Sequence, residues 1–279
     1  MRTVIKSSTG QLRLNDKSDD FYKLHLKEGI RPDGRMLMEM RPMVLNVGSI
    51  STASGSSLVK VGNTTVVCGI KAELTEPNAS HPGKGIVVPN VELSPLCSPK
   101  FKPGPPCDQA QVVTKFLDNL IQSTNLICLD DLCVENDKLV WILYCDLICI
   151  DYDGNIVDAS VISLMAALQN VKLPEVKINE ECESVEVNLK CTATLKLCSC
   201  PVSTTFRVFD RSNIIADPTS MEEELTEGQL TIVTDQQGRI IYMERPGGVT
   251  LQEEHVEKCM KRAVIRGAEV QTLYMEVTG

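Results

Sequence analysis

LICIDYDGNIVDASVISLMAAL, residues 147–168, reads as a buried strand, a tight turn and a helix. The strand extends back through LVWILYCDLICID (139–151), almost wholly apolar apart from Asp146. Such a run suits a central strand covered on both faces. Beyond the turn, Val161, Leu164, Met165, Leu168 and Val171 recur at helical spacing, which predicts a helix from Asp158 to Leu173. Asp151, Asp153 and Asp158 crowd the bend between the two elements. In many α/β proteins a strand-to-helix bend holds an anionic ligand, so three carboxylates there ask whether this one does chemistry or is structural.

Outward from that unit, the upstream half reads as a β-meander. VLNVGSI, SLVKV and TTVVCGIKAEL, within 42–74, are rich in β-branched residues, and Gly62-Asn63 forms a hairpin turn between the last two. VVPNVEL (87–93) is a further short strand. SPLCSPKFKPGPPC (94–107) holds five prolines and must be loop. After it, Ala110, Val113, Leu117, Leu120 and Ile121 share one face of an amphipathic helix. Near the N-terminus, residues 1–18 form a polar, loosely held extension, and DDFYKLHLKEG (19–29) is a short helix ended by Gly29. Downstream of Pro174, VEVNLK, TLKLCSC, TTFRVF, NIIAD, QLTIVT and RIIYMER are short strands, with a hairpin at Asp235–Gly238. Pro246-Gly247-Gly248 precedes a long C-terminal helix with Val256, Cys259, Ala263, Val270, Leu273 and Val277 along one side. The order is strands, helix, strand, helix, strands, helix. It fits one compact α/β (α+β) domain whose two halves hint at an internal pseudo-repeat.

Composition narrows the function classes. The 279 residues are 43% hydrophobic but only 4% aromatic, so the core rests on Val, Ile and Leu. No apolar run reaches the ~20 residues needed to span a bilayer, and no signal-peptide region opens the chain, so it reads as intracellular with no membrane partner. The twelve cysteines include no CxxC pair, and Cys68, Cys145 and Cys149 sit inside strand-like apolar runs; reduced thiols fit better than disulfides or a zinc site. A net charge of −9, without a Lys/Arg run or an aromatic ladder, means that the chain's own surface attracts RNA weakly. His25, His81 and His255 lie in unrelated polar contexts and suggest no nucleophilic triad. Neither a GxxxxGK[ST] phosphate loop nor a GxGxxG fingerprint is present.

The order of IRPDGR (30–35), LNVGSI (45–50) with VKVGNTTVVCG (59–69), DYDGNIVDAS (151–160) and DPTSMEEELTEGQLTIV (217–233) resembles the RNase PH family. These are phosphate-dependent 3′ exoribonucleases and their inactive relatives in the RNA exosome. GIVVPNVELSPLCS (85–98), KLVWILYCDLICIDYDGNI (138–156) and LPEVKINEE (173–181) carry a closer likeness to eukaryotic exosome ring subunits. The resemblance implies the RNase PH-like, ribosomal protein S5 domain 2-type fold over residues 19–279. It further implies RNase PH-like partners in a hexameric ring around a channel for single-stranded RNA, with S1/KH-type cap proteins above. Nucleus, nucleolus and cytoplasm are the locations it implies, and it calls for no cofactor.

It also marks where this chain departs from active members. Their turn after the central strand has the form A-D-G-G-T-R-T-A-S, whose Arg holds phosphate through its fork of donors. In Tyr152–Ser160, Asp153, Gly154, Ala159 and Ser160 match, Val157 replaces the Arg, and Asp158 replaces a neutral Thr; a guanidinium lost and a carboxylate added make the pocket repel phosphate, so the bend reads as structural. An Arg pair that grips RNA in active members is replaced by Pro106, Cys107 and Asp108, leaving Lys100 and Lys102 nearby as candidate RNA contacts. Asp217 and Glu223 fit a D-x5-D carboxylate pair, yet Asp217-Pro218 also reads as a turn and Glu222–Glu224 as a solvated acidic edge. Arg31 and Arg35 either touch RNA or pair with acids to fix the Asp33-Gly34 turn. The expectation is a non-catalytic ring subunit without a metal site. The alternative is an active 3′ exoribonuclease, phosphorolytic with a partner's Arg or hydrolytic with a metal.

Overall fold

The structure is a computed structural model that describes Tyr22, His25 and residues 29–79, 81–179, 184–209, 213–248 and 250–278. The expected extension over 1–18, and the expected helix over 19–29 apart from Tyr22, His25 and Gly29, lie outside the described residues.

The first sheet is six-stranded. Strands β1 (Met43–Val47), β2 (Gly55–Val61), β3 (Thr64–Thr75), β6 (Leu139–Asp151) and β4 (Ile86–Leu93) follow in that order, and β5 (Cys133–Glu135) pairs with β6. All pairings are antiparallel except β4 with β6. The β2–β3 turn falls at Gly62-Asn63, where Gly62 takes the left-handed conformation (φ +57°) that a side chain resists. A second sheet of four strands runs β10 (Ile214–Ala216), β9 (Val202–Val208), β11 (Gly228–Thr234), β12 (Ile240–Glu244). Strands β7 (Lys172–Asn179) and β8 (Ser184–Thr194) form a separate hairpin.

Helix α2 (Ile156–Gln169) lies between the two larger sheets, packing on β2 and β3 on one side and on β9 on the other. Its residues from Asp158 to Leu168 are all buried, and a helix apolar around its whole circumference is stable only when enclosed. Helix α1 (Asp108–Thr124) places Ala110, Val113, Phe116, Leu117, Leu120 and Ile121 in the core, packs on β4, and stacks Phe116 edge-on against Tyr242 of β12, ring centres 5.7 Å apart. Helix α4 (Glu253–Thr278) covers the far side of the second sheet, where Cys259 and Ala263 meet Phe206 and Ile232. One core joins both halves: Val202, Val233, Val270 and Tyr274 share it with Val59, Leu143 and Leu164.

Several elements differ from expectation: TLKLCSC (194–200) is strand only at Thr194, and strands β5 and β7 and the short helix Ser220–Leu225 stand where none was expected. Strand β6 is covered on one face only: Leu143, Cys145, Leu147 and Cys149 are buried, while Tyr144, Asp146, Ile148 and Ile150 face outward. The strand enclosed on both sides is β9, between α2 and α4. Helix α2 also stops at Gln169 rather than Leu173, because Lys172–Asn179 joins a β-hairpin that Pro174 does not prevent. Val171 still points into the core, but from the connection and not from the helix.

Candidate functional site

The bend of the opening motif packs directly on the segment that holds the acidic run. Gly154 (φ +76°) and Asn155 (φ +53°) are both left-handed, which turns the chain sharply from β6 into α2. A Cβ on Gly154 would lie 2.5 Å from the carbonyl carbon of Thr219 and 2.6 Å from the Pro218 oxygen, so only glycine lets the two segments touch. The Thr64 hydroxyl donates to the Gly154 carbonyl (2.7 Å) and accepts from the Asp153 amide (3.1 Å), tying the bend to β3.

Asp217 is the hub of this contact. It is buried, itself left-handed (φ +48°), and accepts from the Arg41 amide (2.8 Å), Arg41 Nε (2.9 Å), Arg41 Nη2 (2.8 Å) and Asn155 Nδ2 (2.6 Å). Burial alone would raise its carboxyl, but the hydrogen bonds and charge of Arg41 overcome that and hold it down to about 2. Arg41 also donates to the Asp153 carbonyl (2.7 Å) and lies 3.6 Å from its carboxylate.

The acidic run of helix α3 (Ser220–Leu225) is not a solvated edge. Glu222 is buried and forms a forked pair with the equally buried Arg31, whose Nε donates at 2.7 Å and whose Nη2 makes a second, shorter contact. The same guanidinium donates to the carbonyls of Ala216 (2.8 Å) and Asp217 (3.0 Å). Of the two readings of Arg31, then, pairing with an acid is the one realised, and no face of it is open to RNA. Arg35 pairs with Asp33 (2.7 Å) and reaches the Asp217 carbonyl (3.3 Å). Glu223 is nearly buried: it accepts from the Tyr152 hydroxyl (2.5 Å) and the Asn155 amide (2.9 Å), and lies 3.6 Å from Arg207 Nη2. Only Glu224 is open, and it pairs with Lys100 at 3.5 Å.

A cleft of about 410 Å³ opens beside these groups, lined among others by Lys100, Val157, Thr205, Arg207, Glu223 and Glu224. Val157 forms part of its wall and leans on the core. Lys100 sits over the Tyr152 ring, 5.8 Å from its centre. Lys102 is exposed on the neighbouring loop and does not line the cleft.

Two readings of the bend need correcting. Asp158 does not repel an anion in the cleft, because its carboxylate faces inward and accepts from the Thr205 amide (2.9 Å), the Thr205 hydroxyl (2.8 Å) and Asn155 Nδ2 (2.8 Å). Burial pushes its carboxyl up against those bonds. Nor is the cleft without a guanidinium: Arg207, from β9, supplies one from a different strand. Its signal in the sequence was a lone charge inside TTFRVF (204–209), an otherwise enclosed strand. Arg41 and Tyr152 were overlooked too, since the partners that explain them lie 176 and 71 residues away.

The carboxylates are poor metal donors as they stand, with Asp217 saturated by Arg41 and Asn155, and Glu223 by Tyr152 and Asn155. Among the described residues no group of three or more His, Cys, Asp or Glu is placed to hold a metal ion.

Domain 1 of the 3′ exoribonuclease (RNase PH) family matches residues 39–174, and domain 2 matches residues 199–266. The exosome complex component rrp43 of Schizosaccharomyces pombe is 43% identical to this chain, over 87% of it and 90% of the relative. The exosome complex component Rrp42 of Pyrococcus furiosus is 37% identical over 92% of both chains. Among solved structures, a chain of the Archaeoglobus fulgidus exosome with RNA bound to the active site superposes with a TM-score of 0.83 at 30% identity, covering 94% of this chain and 99% of that one. With both family domains matched in order, and relatives aligned over most of their own length, the chain belongs to the RNase PH family of 3′ exoribonucleases.

Proposed function

We propose that this chain is a non-catalytic RNase PH-like subunit of an exosome core ring, supporting 3′ to 5′ RNA processing and decay carried out by other subunits. The observation that carries the reading is the state of the cleft: the apolar Val157 lines it where the family resemblance implies a phosphate-holding guanidinium, and Lys100 and Arg207 each already face a carboxylate of the same chain. Phosphorolysis needs uncommitted cations for inorganic phosphate, and a self-neutralised cleft offers none. The likeness to relatives named as exosome components supports the ring assignment. So does the open face of β6, where Tyr144, Ile148 and Ile150 present an apolar sheet surface of the kind that partner subunits cover.

The partners under this reading are other RNase PH-like subunits in a hexameric ring, S1/KH-type cap proteins, and single-stranded RNA in the channel. Lys102 and Lys100 are the proposed RNA contacts of this chain. The compartments are the nucleus, with the nucleolus, and the cytoplasm. Arg207 favours a second reading, an active phosphorolytic subunit, since it returns a guanidinium to the cleft; Glu223 at 3.6 Å counts against it.

Co-expression with candidate RNase PH-like partners, followed by mass measurement of the complex, tests the assignment. A hexameric assembly that includes the chain is expected. A chain that stays monomeric with every RNase PH-like partner refutes it.

A further inference from the structure

The proline-rich loop that follows β4 folds back onto the end of β6. Leu93, the last residue of β4, stands opposite Cys149 in the parallel register. The Cys97 amide donates to the Ser94 carbonyl (3.1 Å), which turns the chain, and the Cys97 carbonyl then accepts from the Tyr152 amide (3.1 Å). That return brings Cys97 beside Cys149, and the two thiols hydrogen-bond to each other. Cys97 Sγ donates to the Ser94 carbonyl at 3.0 Å, and Cys149 Sγ has the Asp151 carbonyl at 3.2 Å as its other acceptor. Both are free thiols. They differ in access: Cys149 is wholly buried, whereas Cys97 is 8% exposed and follows Leu96, which is 80% exposed. Burial raises both thiols, but their shared hydrogen bond opposes that rise at Cys97 and adds to it at Cys149. Cys97 is therefore the readier nucleophile, with Cys149 placed to resolve what it forms.

We propose that Cys97 and Cys149 form a peroxide-sensitive modification site, a thiol pair that closes a disulfide between this loop and β6. The Cys97 thiolate attacks one oxygen of hydrogen peroxide, the O–O bond breaks, and the departing hydroxide takes up the Cys97 proton as water. The Cys149 sulfur then displaces the hydroxyl of the resulting sulfenic acid, which leaves with the Cys149 proton as a second water while the S–S bond forms. Two thiols lose two electrons, and one peroxide gains them. The bond pins the loop to the central sheet at a point otherwise held by the Tyr152 amide. Just beyond that point the loop lays Phe101 edge-on against the Tyr152 ring, centres 5.1 Å apart, and Lys100 over the same ring. Oxidation thus fixes the segment that carries Lys100 beside the cleft. Cys107, half-buried at the end of the loop, acts on Cys97 through charge and is the competing partner.

The test treats the full-length chain, freed of reductant, with hydrogen peroxide. Remaining thiols are alkylated under denaturing conditions, and peptides are mapped by mass with and without dithiothreitol. Wild type, C97S, C149S and C107S are compared, with C149A in place of C149S should a hydroxyl in that buried position prevent folding. The exposed Cys198 serves as the internal measure that enough oxidant was present. The expected product is a Cys97–Cys149 linked peptide, lighter by two hydrogens and released by dithiothreitol. It should be lost in C97S and in C149S and kept in C107S. A link between Cys97 and Cys107 in wild type, a Cys97 sulfenic acid that never resolves onto Cys149, or both thiols still alkylated once Cys198 is oxidised, overturns the proposal.

Discussion

Replacing Asp217 with Asn keeps the shape of the hub and removes its charge. Holding a carboxyl near 2 instead of at its usual 3.8 corresponds to about 2.5 kcal/mol of stability, at about 1.4 kcal/mol per pH unit of displacement. The substitution also leaves Arg41 buried without its main counter-charge, and breaking a buried pair from one side typically costs about 3–5 kcal/mol. The Asp153 carboxylate, 3.6 Å from Arg41, recovers part of that loss. We therefore expect Asp217→Asn to destabilise the fold by about 3 kcal/mol at neutral pH, where about 5–15 kcal/mol is the whole stability of a typical domain. The sign of the pH dependence follows from the same displacement. The folded value lies below the unfolded one, so the contribution is complete above the ordinary carboxylate range and disappears as pH falls through it toward the folded value. Urea unfolding of both proteins across that range should show a gap that is widest at neutral pH and narrows in acid. A loss below about 1 kcal/mol, or a gap that pH does not change, would refute the assignment of Asp217 as the charged hub.

Gly154→Ala should cost at least about 3 kcal/mol, or prevent folding, because its methyl would meet the Thr219 and Pro218 backbone within 2.6 Å at a positive φ; a thermal scan of the purified complex measures it. Asp158→Asn should cost less than about 1 kcal/mol: burial already raises that carboxyl, and an amide can serve the Thr205 hydroxyl and amide together. The same thermal scan distinguishes it from Asp217→Asn. Arg31→Met should lower stability by about 3 kcal/mol or more by stranding Glu222, and Arg31→Met with Glu222→Leu should recover much of it, a double-mutant cycle read by urea unfolding.

The elements were legible wherever local pattern and burial agree. Helix α1 announces one face through Ala110, Val113, Leu117 and Leu120, and the β2–β3 hairpin announces itself through Gly62. Pattern misled where burial is two-sided or one-sided against expectation. The apolar run of β6 predicts cover on both faces, yet Tyr144, Ile148 and Ile150 face outward. The apolar Val157 at the bend could be read along the motif. The pairing of Arg31 with Glu222, of Arg41 with Asp217 and of Arg207 with Glu223 could not, because only the tertiary fold brings each pair together. The acidic run shows the cost of reading charge without position. Three consecutive glutamates on one short helix take three different roles: a buried partner, a hydrogen-bond acceptor at the bend and an exposed ion pair.

The central claim, that the cleft beside Val157 performs no phosphorolysis, is tested most directly by assaying this chain in its ring complex, with every other RNase PH-type site inactivated by mutation. A 3′-extended single-stranded RNA is incubated with inorganic phosphate, and release of nucleoside diphosphates is measured. No phosphate-dependent shortening above the protein-free control is predicted. Shortening that requires phosphate and is lost on Arg207→Ala would contradict it.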